Sequence, residues 1–292
     1  MKIIRKNKVM NYFNKNLQAA KIAKNDEFYT QYEDIEKEIF NYKHYLENKI
    51  IYCNCDNPNW SNFYIYFKNN FDILKLKKVI TTHYTNDQKS YSLELFKDEN
   101  NNLIDKVIFL DSNGDFRNDE SIEILKSVDI VISNPPFSLF KEYIDILMKY
   151  NKQFLIIGSQ NSITYKNVFQ YIKDNKIWFG LNFVKKFIEP NKNIKSFGNI
   201  CWFTNLDNEK RNQEHLLLEK YQDDKYDICN DYDAINVDRI KDIPYDYKGV
   251  IAVPITFFDK YNPKQFEIID MFSPIVNNKK IYKRLFIKIK NI

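Results

Sequence analysis

Residues 128–133 form a short apolar run, Val128-Asp129-Ile130-Val131-Ile132-Ser133, which stops at Asn134-Pro135-Pro136-Phe137. Two consecutive prolines donate no backbone hydrogen bond, so neither a sheet ladder nor a helix interior continues through them. Each proline also holds the residue before it extended. The chain must therefore end a strand, turn, and start again as the helix predicted over 138–150. A strand, a rigid turn and a helix in that order are a unit of an α/β sheet.

The same alternation extends outward from this unit. Ile35, Ile39, Tyr42 and Leu46 recur at helical spacing before a β-rich run, Lys49-Ile50-Ile51-Tyr52-Cys53. Phe63, Phe67, Phe71 and Leu74 mark a second helix face, and Lys78-Val79-Ile80-Thr81-Thr82 a second strand. Residues 90–110 break the rhythm with two β-like runs around Asp98-Glu99-Asn100-Asn101-Asn102, which predicts a hairpin inserted in the sheet or paired at its edge. A helix over 118–127 precedes the central strand; strand Phe154-Leu155-Ile156-Ile157 and a helix over 162–174 follow it. Near-continuous apolar strands joined by helices predict a parallel sheet covered on both faces. Ligands of such sheets bind beyond the carboxyl ends of the strands, which puts Asn54–Asp56, Thr82–Tyr84 and Asn134–Phe137 on one rim.

A chain of 292 residues buries a full core. Aromatics at 16% and hydrophobics at 44%, with only 5 Gly, exclude a disordered or fibrous chain. The net charge of +5 suits a polyanionic partner, but Lys and Asn abound alongside Ile, Phe and Tyr as A/T-rich codon usage alone would give, so charge decides little. No apolar run approaches the ~20 residues that span a bilayer, and the start, Met1 to Lys6, lacks a secretory apolar stretch. Cys53, Cys55, Cys201 and Cys229 form no metal-ligand pattern, and His44, His83 and His215 occupy unrelated settings. A reduced, cytoplasmic protein with no metal and no membrane association is expected. After residue 205 a polar stretch to Asp233 predicts a linker, followed by β-like runs at 249–253 and 286–289.

The chemistry of Asn134–Phe137 is restricted. The exocyclic nitrogen of adenine is a poor nucleophile because its lone pair is delocalised into the ring. Two acceptors gripping its hydrogens favour the pyramidal nitrogen of the transition state, and the Asn134 side-chain oxygen and the Pro135 carbonyl supply them. Pro136 fixes where that carbonyl points, and Phe137 stacks on the base. A base in a duplex must first be flipped out. With an activated sulfonium donor the transfer needs positioning far more than acid–base catalysis, so no catalytic His or Cys is required. The plainer alternative is a turn that ends a strand and starts a helix.

Six segments carry a family resemblance over nearly the whole chain: Ala23-Lys24-Asn25-Asp26-Glu27-Phe28-Tyr29-Thr30-Gln31, Tyr52-Cys53-Asn54-Cys55-Asp56-Asn57-Pro58, Gly114-Asp115-Phe116-Arg117, Ser133 to Phe140, Asn230 to Val237 and Gly249 to Phe257. Together they resemble the adenine-specific DNA methyltransferases of the EcoRI modification type. The resemblance implies a Rossmann-like S-adenosylmethionine-dependent methyltransferase sheet, α/β in class, with a smaller C-terminal DNA-recognition extension. It divides the chain into a catalytic part, 1–205, with a recognition loop at 182–198, and an accessory region, 206–292. Asn134, Pro135, Pro136 and Phe137 take the catalytic positions. Phe28, Tyr29, Thr30, Asn54, Asp56, Asp115, Phe116 and Phe140 take the donor-binding ones. Asp115 is expected on the amino group of the donor's adenine, Phe116 against its ring, and Phe140 in the pocket wall. The first-strand loop lacks the usual Gly-x-Gly, and Thr82, His83 and Tyr84 stand where an acidic residue often holds ribose.

The resemblance further implies double-stranded DNA as partner, with the enzyme acting as a monomer beside a cognate restriction endonuclease. Lys185, Lys186, Lys192 and Lys195, and in the tail Lys279, Lys280, Lys283, Arg284, Lys288 and Lys290, are candidate DNA contacts. Trp202 and Phe203 are either a second face of the base pocket or core. Two further classes stay open at this point: a methyltransferase for RNA adenine or a protein amide, and a non-catalytic DNA-binding relative.

Overall fold

Four of the apolar runs become the parallel centre of a large sheet in the computed structural model, which describes residues 29–59, 61–85, 89–188 and 193–290. These are β2 (Ile50–Cys53), β3 (Lys78–Thr82), β6 (Ile130–Ser133) and β7 (Gln153–Ser159), in the spatial order β7-β6-β2-β3. The 90–110 hairpin is β4 (Tyr91–Lys97) and β5 (Leu103–Phe109); it lies at the edge, antiparallel to β3. Its turn places Asn101 at φ 64°, a left-handed conformation that Asn tolerates better than most residues.

On the other side the sheet departs from the expected parallel form. β8 (Trp178–Ile188) and β9 (Ile194–Thr204) are long strands, β9 antiparallel to β7, and β1 (Tyr29–Thr30) pairs antiparallel with β8. Among the described residues the sheet is nine-stranded and mixed, ordered β1-β8-β9-β7-β6-β2-β3-β4-β5. The parallel strands read as expected because both their faces are buried. The antiparallel ones carry exposed positions, such as Lys185 and Lys186 in β8, and so lack a continuous apolar run.

One face of the sheet is covered by α1 (Tyr32–Ile39), the helical turns that follow it and α2 (Asn62–Asn69). Ile35, Ile39, Tyr42, Leu46, Phe63, Phe67, Phe71 and Leu74 are all buried there, as their spacing predicts. The opposite face carries α3 (Asp119–Ser127) and α4 (Phe140–Lys149), whose Tyr143, Ile144 and Leu147 are buried. The order of strands creates a crevice at the sheet's carboxyl rim. From β2 the chain runs outward to β3 and its hairpin, then returns through α3 to β6 on the other side of β2. The carboxyl ends of β2 and β6 thus flank a topological switch point, the crevice where open α/β sheets bind ligands.

Two compact units are formed: residues as far as Ser162 with Asn182–Leu206, and Ile163–Leu181 with Asp207–Ile292. Residues 163–181, including α5 (Lys166–Lys173), cluster with the C-terminal residues rather than with the rest of 1–205. The second unit contains a five-stranded sheet built from residues 227–289, with Phe272 and Phe286 stacked 4.1 Å apart at its core. Residues 205–233, expected as a linker, hold little regular structure beyond a helical turn at Lys210–Asn212 and the two-residue strand Asp227–Ile228. All four cysteines are free. Among the described residues no helix is long and apolar enough to cross a membrane.

Candidate active site

Asn134–Phe137 follow β6 as expected, with Pro135 buried and Asn134, Pro136 and Phe137 half-buried. Pro136 is extended (φ −55°, ψ 127°), and its carbonyl accepts the Leu139 N–H at 3.0 Å as the chain turns into α4. Three residues that carry no role in the sequence motifs join this turn to the expected donor residues.

The first is Ser133. Its hydroxyl donates to Asp56 Oδ2 at 2.8 Å and accepts the Cys55 N–H at 3.2 Å. Asp56 Oδ1 accepts from Ser61 Oγ at 3.1 Å, and Ser61 in turn caps α2 by accepting the Phe63 N–H at 3.2 Å. The main-chain N–H of Asn134 also donates to the Asp56 carboxyl. Burial pushes this carboxyl up to about 7, with the bonds from Ser133, Ser61 and Asn134 opposing the rise.

The second is Tyr143 of α4. Its hydroxyl donates to the side-chain oxygen of Asn54, and its ring meets Phe116 edge-on at 5.0 Å. A loop without glycine therefore gains its rigidity from side chains: Asn54 is held by Tyr143 and Asp56 by Ser133 and Ser61. Phe116 is buried, and it follows the Gly114 turn on the same rim. Gly114 has φ +76°, and a Cβ there would overlap the His83 carbonyl and lie 2.8 Å from Ser90 Oγ, so only glycine fits. The Glu120 carboxylate braces the turn by accepting the N–H groups of Asp111 at 3.2 Å and Ser112 at 3.1 Å.

Asp115 is gripped by Arg117, whose N–H and Nε–H both reach Oδ1 at 2.9 Å while Nη2 reaches Oδ2 at 2.7 Å. Arg117 also pairs with Glu142 at 3.0 Å. Burial pushes the Asp115 carboxyl up, but the Arg117 contacts outweigh it and hold it below its ordinary value. A carboxylate offers about four acceptor positions, so Oδ2 retains one. At the end of β3, His83 is buried and neutral, lowered by burial to about 4.

The third is Phe187 of β8. It sits opposite Thr30 in the β1–β8 pair, and its ring meets Phe137 at 6.1 Å and 86°. Phe197 of β9 completes a set of three mutually perpendicular rings, 6.3 Å from Phe137 and 5.6 Å from Phe187. Tyr29 and Thr30 thus lie along the strand that supports the aromatic of the turn. Phe28 and Lys192 lie outside the described residues.

The remaining expectations divide. Phe140 is fully buried, with its ring 4.9 Å from Phe203 and over Gly158, which gives it a core position. Trp202 and Phe203 are fully buried too, and so are core. Lys185 and Lys186 are exposed, and Lys195 lies over the Phe197 ring at 5.4 Å. In the second unit, Lys279, Lys280 and Lys288 are exposed while Arg284 pairs with Asp238 at 2.6 Å. Among the described residues no group of His, Cys, Asp and Glu is placed to hold a metal. Of the three linking residues, Ser133 alone had a sequence signal, its position beside Asn134; Tyr143 and Phe187 carried none.

Comparison with known proteins identifies the family. Residues 16–290 match the family described as adenine-specific methyltransferase EcoRI. The chain is 44% identical to the Type II methyltransferase M.EcoRI of Escherichia coli, over 97% of this chain and 98% of that one. It is 37% identical to the Type II methyltransferase M.MpnI of Mycoplasma pneumoniae, over 89% and 86% of the two chains. No solved structure matches. A match of this extent, on a chain whose Asn-Pro-Pro-Phe turn sits at the sheet's switch point, makes the protein a member of the EcoRI family of adenine-specific Type II DNA methyltransferases.

Proposed function

We propose that this methyltransferase transfers a methyl group from S-adenosylmethionine to the N6 nitrogen of an adenine flipped out of double-stranded DNA, and that the crevice between β2 and β6 is where it does so. The observation that carries the reading is the direct bonding of the two sides of that crevice: Ser133 and Asn134 of the catalytic turn both donate to Asp56 of the first-strand loop. The residues fit the donor. Asp115 keeps one acceptor position for an adenine amino group, Phe116 supplies a ring, and the Asn54 loop and Tyr29-Thr30 lie near the turn.

S-adenosylmethionine supplies a methyl group on a sulfonium, already activated for in-line displacement. The protein's part is geometric. The Asn134 side-chain oxygen and the Pro135 carbonyl accept the two hydrogens of the target amine and draw its nitrogen toward a pyramidal form. Phe137, propped by Phe187 and Phe197, stacks on the base. Forming the N–CH3 bond would break the donor's S–CH3 bond and leave a neutral thioether. The positive charge gained by the nitrogen is stabilised by the Asn134 and Pro135 acceptors until its proton passes to water.

The sheet serves as the Rossmann-like donor platform, and the C-terminal unit, with Lys279, Lys280 and Lys288 exposed, serves as target-recognition extension. The enzyme works without a metal, as a cytoplasmic monomer beside a cognate restriction endonuclease. Incubation of the purified protein with labelled S-adenosylmethionine and duplex DNA, RNA or protein tests the reading, with mapping of modified adenines. Label on adenine N6 of duplex DNA is expected; label confined to RNA or protein would overturn it.

A further inference from the structure

Asp56 stands in the first-strand loop, where a donor contact is expected, yet its bonds are made to the protein. Oδ1 accepts from Ser61 Oγ at 3.1 Å, Oδ2 from Ser133 Oγ at 2.8 Å, and the Asn134 N–H is a further donor. Its own N–H donates to the Thr82 carbonyl at 3.1 Å. One residue therefore fastens together the end of β3, the cap of α2, the last residue of β6 and the first residue of the catalytic turn.

That fastening acts on the peptide that the two prolines do not fix. Pro135 and Pro136 restrict the chain downstream of the Asn134 α-carbon, because a following proline limits the residue before it. Upstream, no proline restricts the peptide between Ser133 and Asn134. The Asp56 carboxyl holds both ends of this peptide, through the Ser133 side chain and the Asn134 N–H. An amine cradle works only if its acceptors are held in place, and a misplacement of about 1 Å costs on the order of 10²-fold in rate.

We propose that Asp56 is a positioning residue for methyl transfer: it fixes the Asn134 main chain, and with it the direction of the two amine acceptors, without itself touching the donor. The proposal rests on the crevice being the methyl-transfer site.

The ionised carboxylate is the stronger acceptor, and protonation removes one of its acceptor positions. With its value raised to about 7, Asp56 changes state in the neutral range, and the transfer rate should rise with pH through it. Folding stability moves the other way: the raised value means that Asp56 contributes stability below 3.8 that is lost as pH rises through about 7. The ionisable groups around it are Cys53 on β2, Cys55 in the loop and Tyr143 from α4. Burial pushes Cys53 and Tyr143 well up, so both stay neutral over this range.

The test compares wild type with Asp56→Asn, Ser133→Ala and a Cys55→Ser control. Donor affinity is measured by calorimetry, and single-turnover transfer to DNA at saturating donor from pH 5.5 to 9 (about 1.5 units below and 2 above the shifted value). Asp56→Asn is expected to bind donor within a few-fold of wild type, to transfer on the order of 10–100-fold more slowly, and to lose the neutral ionisation. Ser133→Ala should slow transfer in the same sense, with a double variant less than additive, while Cys55→Ser keeps the profile. A large loss of donor affinity with an unchanged single-turnover rate would make Asp56 a donor contact and overturn the proposal. So would a wild-type ionisation that survives in Asp56→Asn. If Asp56→Asn does not fold, Ser133→Ala decides by the same two measurements. Wild type that transfers no methyl to DNA refutes the site reading itself; wild type that does, with indifferent variants, refutes the role of Asp56 alone.

Discussion

The ring of Phe140 occupies the space that a side chain on Gly158 would fill, so that α4 approaches the sheet at the one bare position of β7. This packing sets how α4 leaves the catalytic turn, because Phe140 is only three residues beyond Phe137. Gly158→Ala should therefore destabilise the fold by about 1–3 kcal/mol through overpacking, and Phe140→Ala by about 3–5 through the cavity left. Urea denaturation followed by circular dichroism measures both. A neutral Gly158→Ala would show that α4 is not seated through this pair.

Asn134→Ala keeps the main-chain bond to Asp56 and removes one amine acceptor. Donor affinity should stay within a few-fold of wild type while transfer falls by at least on the order of 10²–10³, the usual cost of deleting a group that stabilises developing charge. Calorimetry with the donor and single-turnover transfer separate the two effects. Equal turnover in variant and wild type would remove Asn134 from the chemistry.

Phe137→Ala should cost about 1–3 kcal/mol of base capture. It also removes perpendicular ring pairs with Phe187 and Phe197, each worth about 0.5–1.5 kcal/mol, so some loss of stability accompanies it. With 2-aminopurine at the target position, the fluorescence rise on binding reports the flipped base. An unchanged signal in the variant would count against stacking.

The sequence discloses the parts of this site better than the bonds between them. Ile50–Cys53 and Ile130–Ile132 announce themselves as strands because burial on both faces leaves them apolar. Asn134-Pro135-Pro136-Phe137 announces itself because its backbone is stiff. Tyr143 reads only as a helix-face aromatic, and it meets Asn54 across 89 positions of chain; Ser133 meets Asp56 across 77. Such pairings depend on the strand order β6-β2, which no local pattern encodes. The same limit explains Asp56. Nothing local to Asp56 announces the Ser133, Ser61 and Asn134 donors that enclose it. The full burial of Phe140, Trp202 and Phe203 is likewise set by packing between distant elements, which the residues around a motif do not announce.

Lys185 and Lys186 project from β8, close in sequence to Phe187, and their exposure leaves them available to phosphates. Replacing both by Ala should weaken DNA binding across all sequences and lower the salt slope of the affinity by roughly 0.9 for each phosphate that is no longer neutralised. Donor affinity should not move. Fluorescence anisotropy with labelled duplexes at several salt concentrations provides the readout. A salt slope equal to wild type would place the DNA track elsewhere.

Asp115 owes its charge to Arg117, which outweighs the cost of burial and holds the carboxyl below its ordinary 3.8. A depressed carboxylate contributes its interactions above the ordinary value and loses them as pH falls through the lowered one. Donor binding through Asp115 should therefore be flat from about pH 5 to 8 and weaken only in stronger acid. Asp115→Asn keeps the shape but places an amide where a charged acceptor stood, and should weaken donor binding by roughly 1–3 kcal/mol, the worth of one charge-assisted hydrogen bond. Arg117→Ala should leave neutral-pH affinity nearer wild type while moving the acid limb upward, past 3.8, because burial then acts unopposed. Calorimetric titration of donor at several pH values distinguishes the two variants. If Asp115→Asn binds donor as tightly as wild type at neutral pH, the turn at Gly114 holds its shape for some other purpose, and the donor's adenine must be gripped by different residues.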